Sequence, residues 1–192
     1  MTRFVRRPLA VFALTVALCA ANVAPLWAAE LTPDASPEAV LQESFRRMQA
    51  NEWGAAADAF DPAALKQFRE MLAPILESED SAGVVAMFFG DEATPASLKA
   101  MNDQAFFAGM MSTIMSASGG ALESQEVLGG VSEGADRMHM VVRSKAAAMG
   151  LSITQMEVVT LNKTPQGWRL ALSGKMEGMA QALKQLGGKP KP

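Results

Sequence analysis

The spacing of hydrophobic positions divides the chain in two. Between residues 36 and 118 apolar side chains recur every three or four positions, the period of helices. After residue 122 they alternate, the period of strands. Ser36-Pro37-Glu38 opens the first helix with a capping hydroxyl, a proline at the first helical position and an acid in the first turn. Val40, Leu41, Phe45 and Met48 give it a buried stripe to about Ala50, where Asn51-Glu52-Trp53-Gly54 breaks it. A short helix over 55–60 follows. Asp61-Pro62 repeats the start signal before the stripe Leu65, Phe68, Met71, Leu72 and Ile75. Thr94-Pro95 starts another helix and Asn102 or Asp103 caps the next, with a short apolar piece at Val84–Phe89 before them. The last of these helices carries Phe106, Phe107, Met110, Met111, Ile114 and Met115 over a wide arc, so it is expected to be buried on more than one side.

The alternating half predicts strands over 124–132, 136–147, 150–162 and 167–173, then a helix over 175–186 stopped by Gly187-Gly188. Thr164-Pro165-Gln166-Gly167 has the residues of a tight turn. If Thr164 faces Gly167, Leu161 faces Leu170. With an even turn at 147–150, Met138, Met140, Val142, Leu151 and Ile153 join the same apolar face, and His139, Val141, Arg143 and Lys145 take the other. Helices first and an antiparallel meander second predict an α+β fold, with the helices packed on one face of a curved sheet of about four strands.

Composition adds a compartment. The first 28 residues pair Arg3, Arg6 and Arg7 with an apolar stretch and small residues before Ala28, the pattern of a cleavable secretory leader. The expected mature chain is one domain over 37–187, with a disordered tail at 188–192, and its location is periplasmic. Loss of the leader takes three of the 17 basic residues and none of the 20 acidic ones, leaving a net charge of about −6 and no basic footprint for nucleic acid. Cys19, the single cysteine, goes with the leader, so a mature chain has no thiol chemistry.

Candidate chemistry is sparse. His139, the one histidine, stands between Met138 and Met140, a combination suited to a soft metal ion. Alternation on a strand sends the two methionines to one face and the imidazole to the other, so no metal site and no cofactor is expected. A serine nucleophile would have to use His139 as its base. There is no phosphate-binding loop, dinucleotide fingerprint or His-Glu-x-x-His pair. Glu157 is the one weak catalytic candidate. It falls on the apolar face, where a carboxylate is desolvated and suited to acid–base work, unless it reaches solvent or pairs with Lys175.

The run SPEAVLQESFRRMQANEWGAAADAFDPAALKQF, followed by a meander closing on TPQGWRLAL, resembles the NTF2-like (cystatin-like, SnoaL-type) superfamily over residues 37–173. The resemblance implies a sheet wrapped around a cone-shaped cavity. It carries no catalytic residue over, because the Asp-His dyad of some members has no matching positions here. Gly167-Trp168-Arg169 through Glu177-Gly178-Met179 is similar to periplasmic phospholipid-shuttle proteins of the toluene-tolerance type. Together these imply an exported, non-enzymatic module that binds a small apolar ligand or a protein partner in the envelope. The alternatives are a lipid carrier and an acid–base enzyme using Glu157. Phe106, Met110, Met111, Met138, Met140 and Trp168 are the expected lining of its site.

Overall fold

The computed structural model describes residues 31–76 and 81–174, with Met176 and Gly178. The expected leader, most of the helix expected over 175–186 and the tail lie outside the described residues. Those described form an α+β fold of six helices followed by four strands. The helices are α1 (Pro37–Gln49), α2 (Trp53–Ala57), α3 (Pro62–Leu76), α4 (Ala82–Phe89), α5 (Pro95–Ala100) and α6 (Asp103–Ala117). The strands β1 (Ala121–Glu133), β2 (Arg137–Ala148), β3 (Leu151–Thr164) and β4 (Gly167–Leu170) form one antiparallel sheet in the order β1-β2-β3-β4.

The caps form where the sequence places them. Ser36 Oγ accepts the Ala39 amide at 3.2 Å, and Asn102 Oδ1 accepts the Ala105 amide at 2.7 Å. Thr94 and Ser97 close a reciprocal capping box at the head of α5. The Val84–Phe89 piece is part of a helix, α4, whose Phe89 ring sits 5.0 Å from that of Phe106.

The helical core is a chain of aromatic contacts. Phe60 meets Phe107 at 4.8 Å, and Phe68 meets Phe107 at 5.7 Å and Phe106 at 6.4 Å. Arg69 closes this layer from α3. Its guanidinium lies 5.3 Å from the Phe106 ring centre and donates to the Leu98 carbonyl at 2.8 Å and to the Met101 carbonyl, which end α5.

The predicted register holds. Thr164 pairs with Gly167, Leu161 with Leu170, Met138 with Leu161 and Met140 with Val159. Met149 and Gly150 turn the β2–β3 hairpin with φ of 51° and 75°, the two positive values that a two-residue loop of matching twist requires. Two register shifts fall in β1, between Leu122 and Ser124 and between Val127 and Gly129, where bulges bend the sheet edge. The helices cover only part of the concave face. Leu151 and Ile153 share that face with Met140 and Leu161, yet they are 67% and 59% exposed. The expected continuous apolar core therefore stops short of the β2–β3 turn.

Gly167 is held closely. Its φ is +100°, and a Cβ there would lie 2.7 Å from the Pro33 carbonyl oxygen, so both backbone strain and a clash with main chain oppose any side chain. Gly167→Ala is expected to cost about 2 kcal/mol of unfolding free energy, read from urea denaturation midpoints at unchanged slope.

Candidate functional site

The incomplete cover leaves a cleft of about 270 Å³ between the helices and the concave face. One wall is α1, whose Leu41, Phe45 and Met48 face inward, with Trp53 of α2 beside them. The opposite wall is α6, through Phe107, Met111 and Met115. These side chains are three and four residues apart on their helices, so one face of each helix supplies the wall. The floor is the sheet, and Met176 closes one side beyond β4. The helices between residues 80 and 118 do not fill the cavity. α6 is its wall, and Phe89 of α4 packs on α6 through Phe106.

The floor is not uniformly apolar. Ser144 pairs with Gln125 on one side and Gln155 on the other, so three neutral polar side chains form a row across three strands. Ser144 interrupts the alternating apolar series of β2, and only the register brings the three together. In the adjacent row Glu157 stands opposite Val142. Its Oε1 accepts the Ser144 hydroxyl at 3.2 Å. Glu157 is thus on the face where the sequence places it, and the structure adds that it lines the cleft. Ser44 of α1 lines the cleft from above and is 1% exposed.

Of the six residues expected to line the site, only Met111 does so. Phe106 and Met110 are fully buried in the helical core, because α6 turns those positions away from the sheet. Met140 is buried, and its sulfur packs closely over Gly130 together with that of Met138. The missing side chain at Gly130 makes the hole that both fill. Trp168 sits at the far end of the β3–β4 hairpin, paired with Lys163, whose ammonium lies 5.8 Å from the indole centre. Sequence reasoning used Trp53 only as a helix break and missed Ser44, because a serine inside an amphipathic stripe gives no sign of which way it faces.

His139 lies on the convex face. Its Nε2 is 2.8 Å from Glu133 Oε2 and its Nδ1 is 3.0 Å from Thr160 Oγ1. The methionine sulfurs and the imidazole therefore do not converge. Hydrogen bonds from His139 and Arg137 hold the Glu133 carboxyl below the ordinary carboxylate range. Gly130-Val131-Ser132-Glu133-Gly134 has the spacing of a nucleophile elbow. It runs along β1 into a hairpin and lacks the strand–turn–helix context that exposes such a serine. Ser132 pairs with Met138, so it faces the side opposite His139.

The α1 wall is anchored from behind. Glu43, 5% exposed, accepts from Arg46 Nε at 2.8 Å and Arg47 Nε at 2.7 Å. Arg47 also donates to the Ala55 carbonyl at 2.7 Å, tying α1 to α2. The hydrogen bond from Arg46 is the main cause of a Glu43 pKa below its ordinary 4.5, opposed in part by burial and reinforced by Arg47.

Neither a family model nor a curated protein matches the chain. Among solved structures, it is similar to a SEC-C motif containing protein from Rhodopseudomonas palustris, solved in solution. The identity is 12% over 71% of this chain and 76% of that one, with a TM-score of 0.42.

Because the folded pKa of Glu43 is lowered, its contribution to stability is present above about pH 4.5 and is lost as pH falls through the folded value. Acid unfolding followed by circular dichroism is expected to steepen below that pH, and Glu43→Gln is expected to flatten this part of the profile while lowering stability at pH 7.

Proposed function

We propose that the protein is an exported, non-enzymatic module of NTF2-like type that holds a small apolar ligand in the cleft between α1, α6 and the sheet. The observation that carries this reading is the cleft itself, with apolar helical walls over a floor bearing a few polar groups, the usual make-up of a small-molecule site. Its volume of about 270 Å³ falls just below the roughly 300–1,000 Å³ common for such sites, which favours a single short chain over a two-chain phospholipid. The leader-like N-terminus supports export to the periplasm, and the order of helices before a meander supports the NTF2-like reading.

An acid–base enzyme built on Glu157 is the second reading, favoured by the position of that carboxylate in the cleft. Binding is preferred because, among the described lining residues, Glu157 is the sole titratable group, and acid–base turnover commonly divides the work between two.

Native mass spectrometry of protein purified from its host tests the proposal. The expected result is a co-purifying apolar molecule on the wild type and its loss from Met111→Trp, whose indole would fill the cleft. An unoccupied wild type that also takes up no added apolar compound would remove the binding reading.

A further inference from the structure

Ser44 lines the cleft, and its Oγ is buried with no hydrogen-bond partner among the described residues. Nearly all buried polar groups in folded proteins are satisfied, so an exception requires a reason. A serine inside a helix has a local remedy, since its hydroxyl can donate to the carbonyl four residues earlier. Ser44 does not take it. Its neighbours on the same face, Val40 and Leu41, are buried apolar residues, and an alanine there would continue the stripe without a desolvated hydroxyl.

Resting on the apolar-ligand reading above, we propose that the ligand is a single short-chain molecule ending in a neutral hydroxyl, and that Ser44 binds this hydroxyl at the buried side of the cleft. A hydroxyl both donates and accepts, so it matches a serine that lacks either kind of partner. The floor of the cleft carries neutral polar groups beside the carboxylate of Glu157. Gln125 and Gln155 carry neutral amides, and Ser144 is already engaged with Glu157. A charged head would lose its hydration beside a fully buried hydroxyl, which a single neutral partner does not offset. The hydrocarbon then lies along Phe45, Met48, Met111 and Met115.

The test compares n-octanol, heptyl chloride and octanoate, with binding followed by amide chemical shifts so that occupancy is located in the cleft. Wild type is expected to bind n-octanol about fivefold or more tightly than heptyl chloride, the scale of one hydrogen bond to a buried group. Octanoate is expected to bind more weakly than n-octanol. Ser44→Ala is expected to lose the preference for the alcohol, bind heptyl chloride as before, and unfold without ligand at the same temperature as wild type or higher. The last readout separates a ligand-binding hydroxyl from a structural one. Equal binding of alcohol and chloride, a preference that survives Ser44→Ala, octanoate binding as tightly as the alcohol, or a ligand-free Ser44→Ala less stable than wild type each overturns the assignment of Ser44. Binding of heptyl chloride in those cases leaves the apolar-ligand reading standing, whereas failure of every compound to bind removes both.

Discussion

Two of the backbone hydrogen bonds that join the helical half of the molecule to the sheet meet at Leu170. The Leu170 amide donates to the Ala59 carbonyl and the Asp61 amide donates to the Leu170 carbonyl, both at 2.8 Å, so Phe60 runs beside Leu170 as a one-residue parallel bridge. Asn162 adds a side-chain bond to Asp61 at 3.3 Å. The bridge sits between α2 and α3, and so it sets where α1 and α6 stand over the concave face. Phe60 is also where the helical aromatic chain begins, through its contact with Phe107. Hydrogen bonds at this junction are directional where hydrophobic contact is not, and they convert a general attraction between two apolar surfaces into one placement.

That placement leaves the cleft. α1 is tied to the sheet edge at its C-terminal end, where Gln49 donates to the Glu123 carbonyl at 3.0 Å, and to α2 through Glu43 and Arg47. α6 is held on its other side by Phe68 and Phe89. With both helices anchored away from the sheet centre, neither can move inward to close the gap without losing aromatic packing or charged hydrogen bonds. The helices leave part of the face near the β2–β3 turn uncovered, so it ends in exposed Leu151 and Ile153.

Much of the architecture was legible in the sequence. Capping residues and prolines mark the helix starts, and the change of period at residue 122 marks the passage to strands. Strand alternation put Met138 and Met140 opposite His139, and the parity of two short turns put the methionines on the face of Leu161. These features are local: a helix start or a two-residue turn is decided by a few neighbouring residues. The cleft lining was mostly missed for the complementary reason. Phe106, Met110 and Met140 have the apolar character of lining residues, and which of two buried directions each side chain takes depends on partners distant in sequence.

The sequence by itself determined the α+β class, the order of elements, the sheet register between β2, β3 and β4, and the presence of Glu157 on the concave face. Only the tertiary structure decided that Ser144, Gln125 and Gln155 form one row, that Ser44 faces the cleft without a partner, and that Met111 rather than Met110 reaches it. Periodicity records which side of an element is buried, because burial follows local alternation. What a buried side chain meets depends on the packing of elements separated by a hundred residues, and no local pattern carries that information.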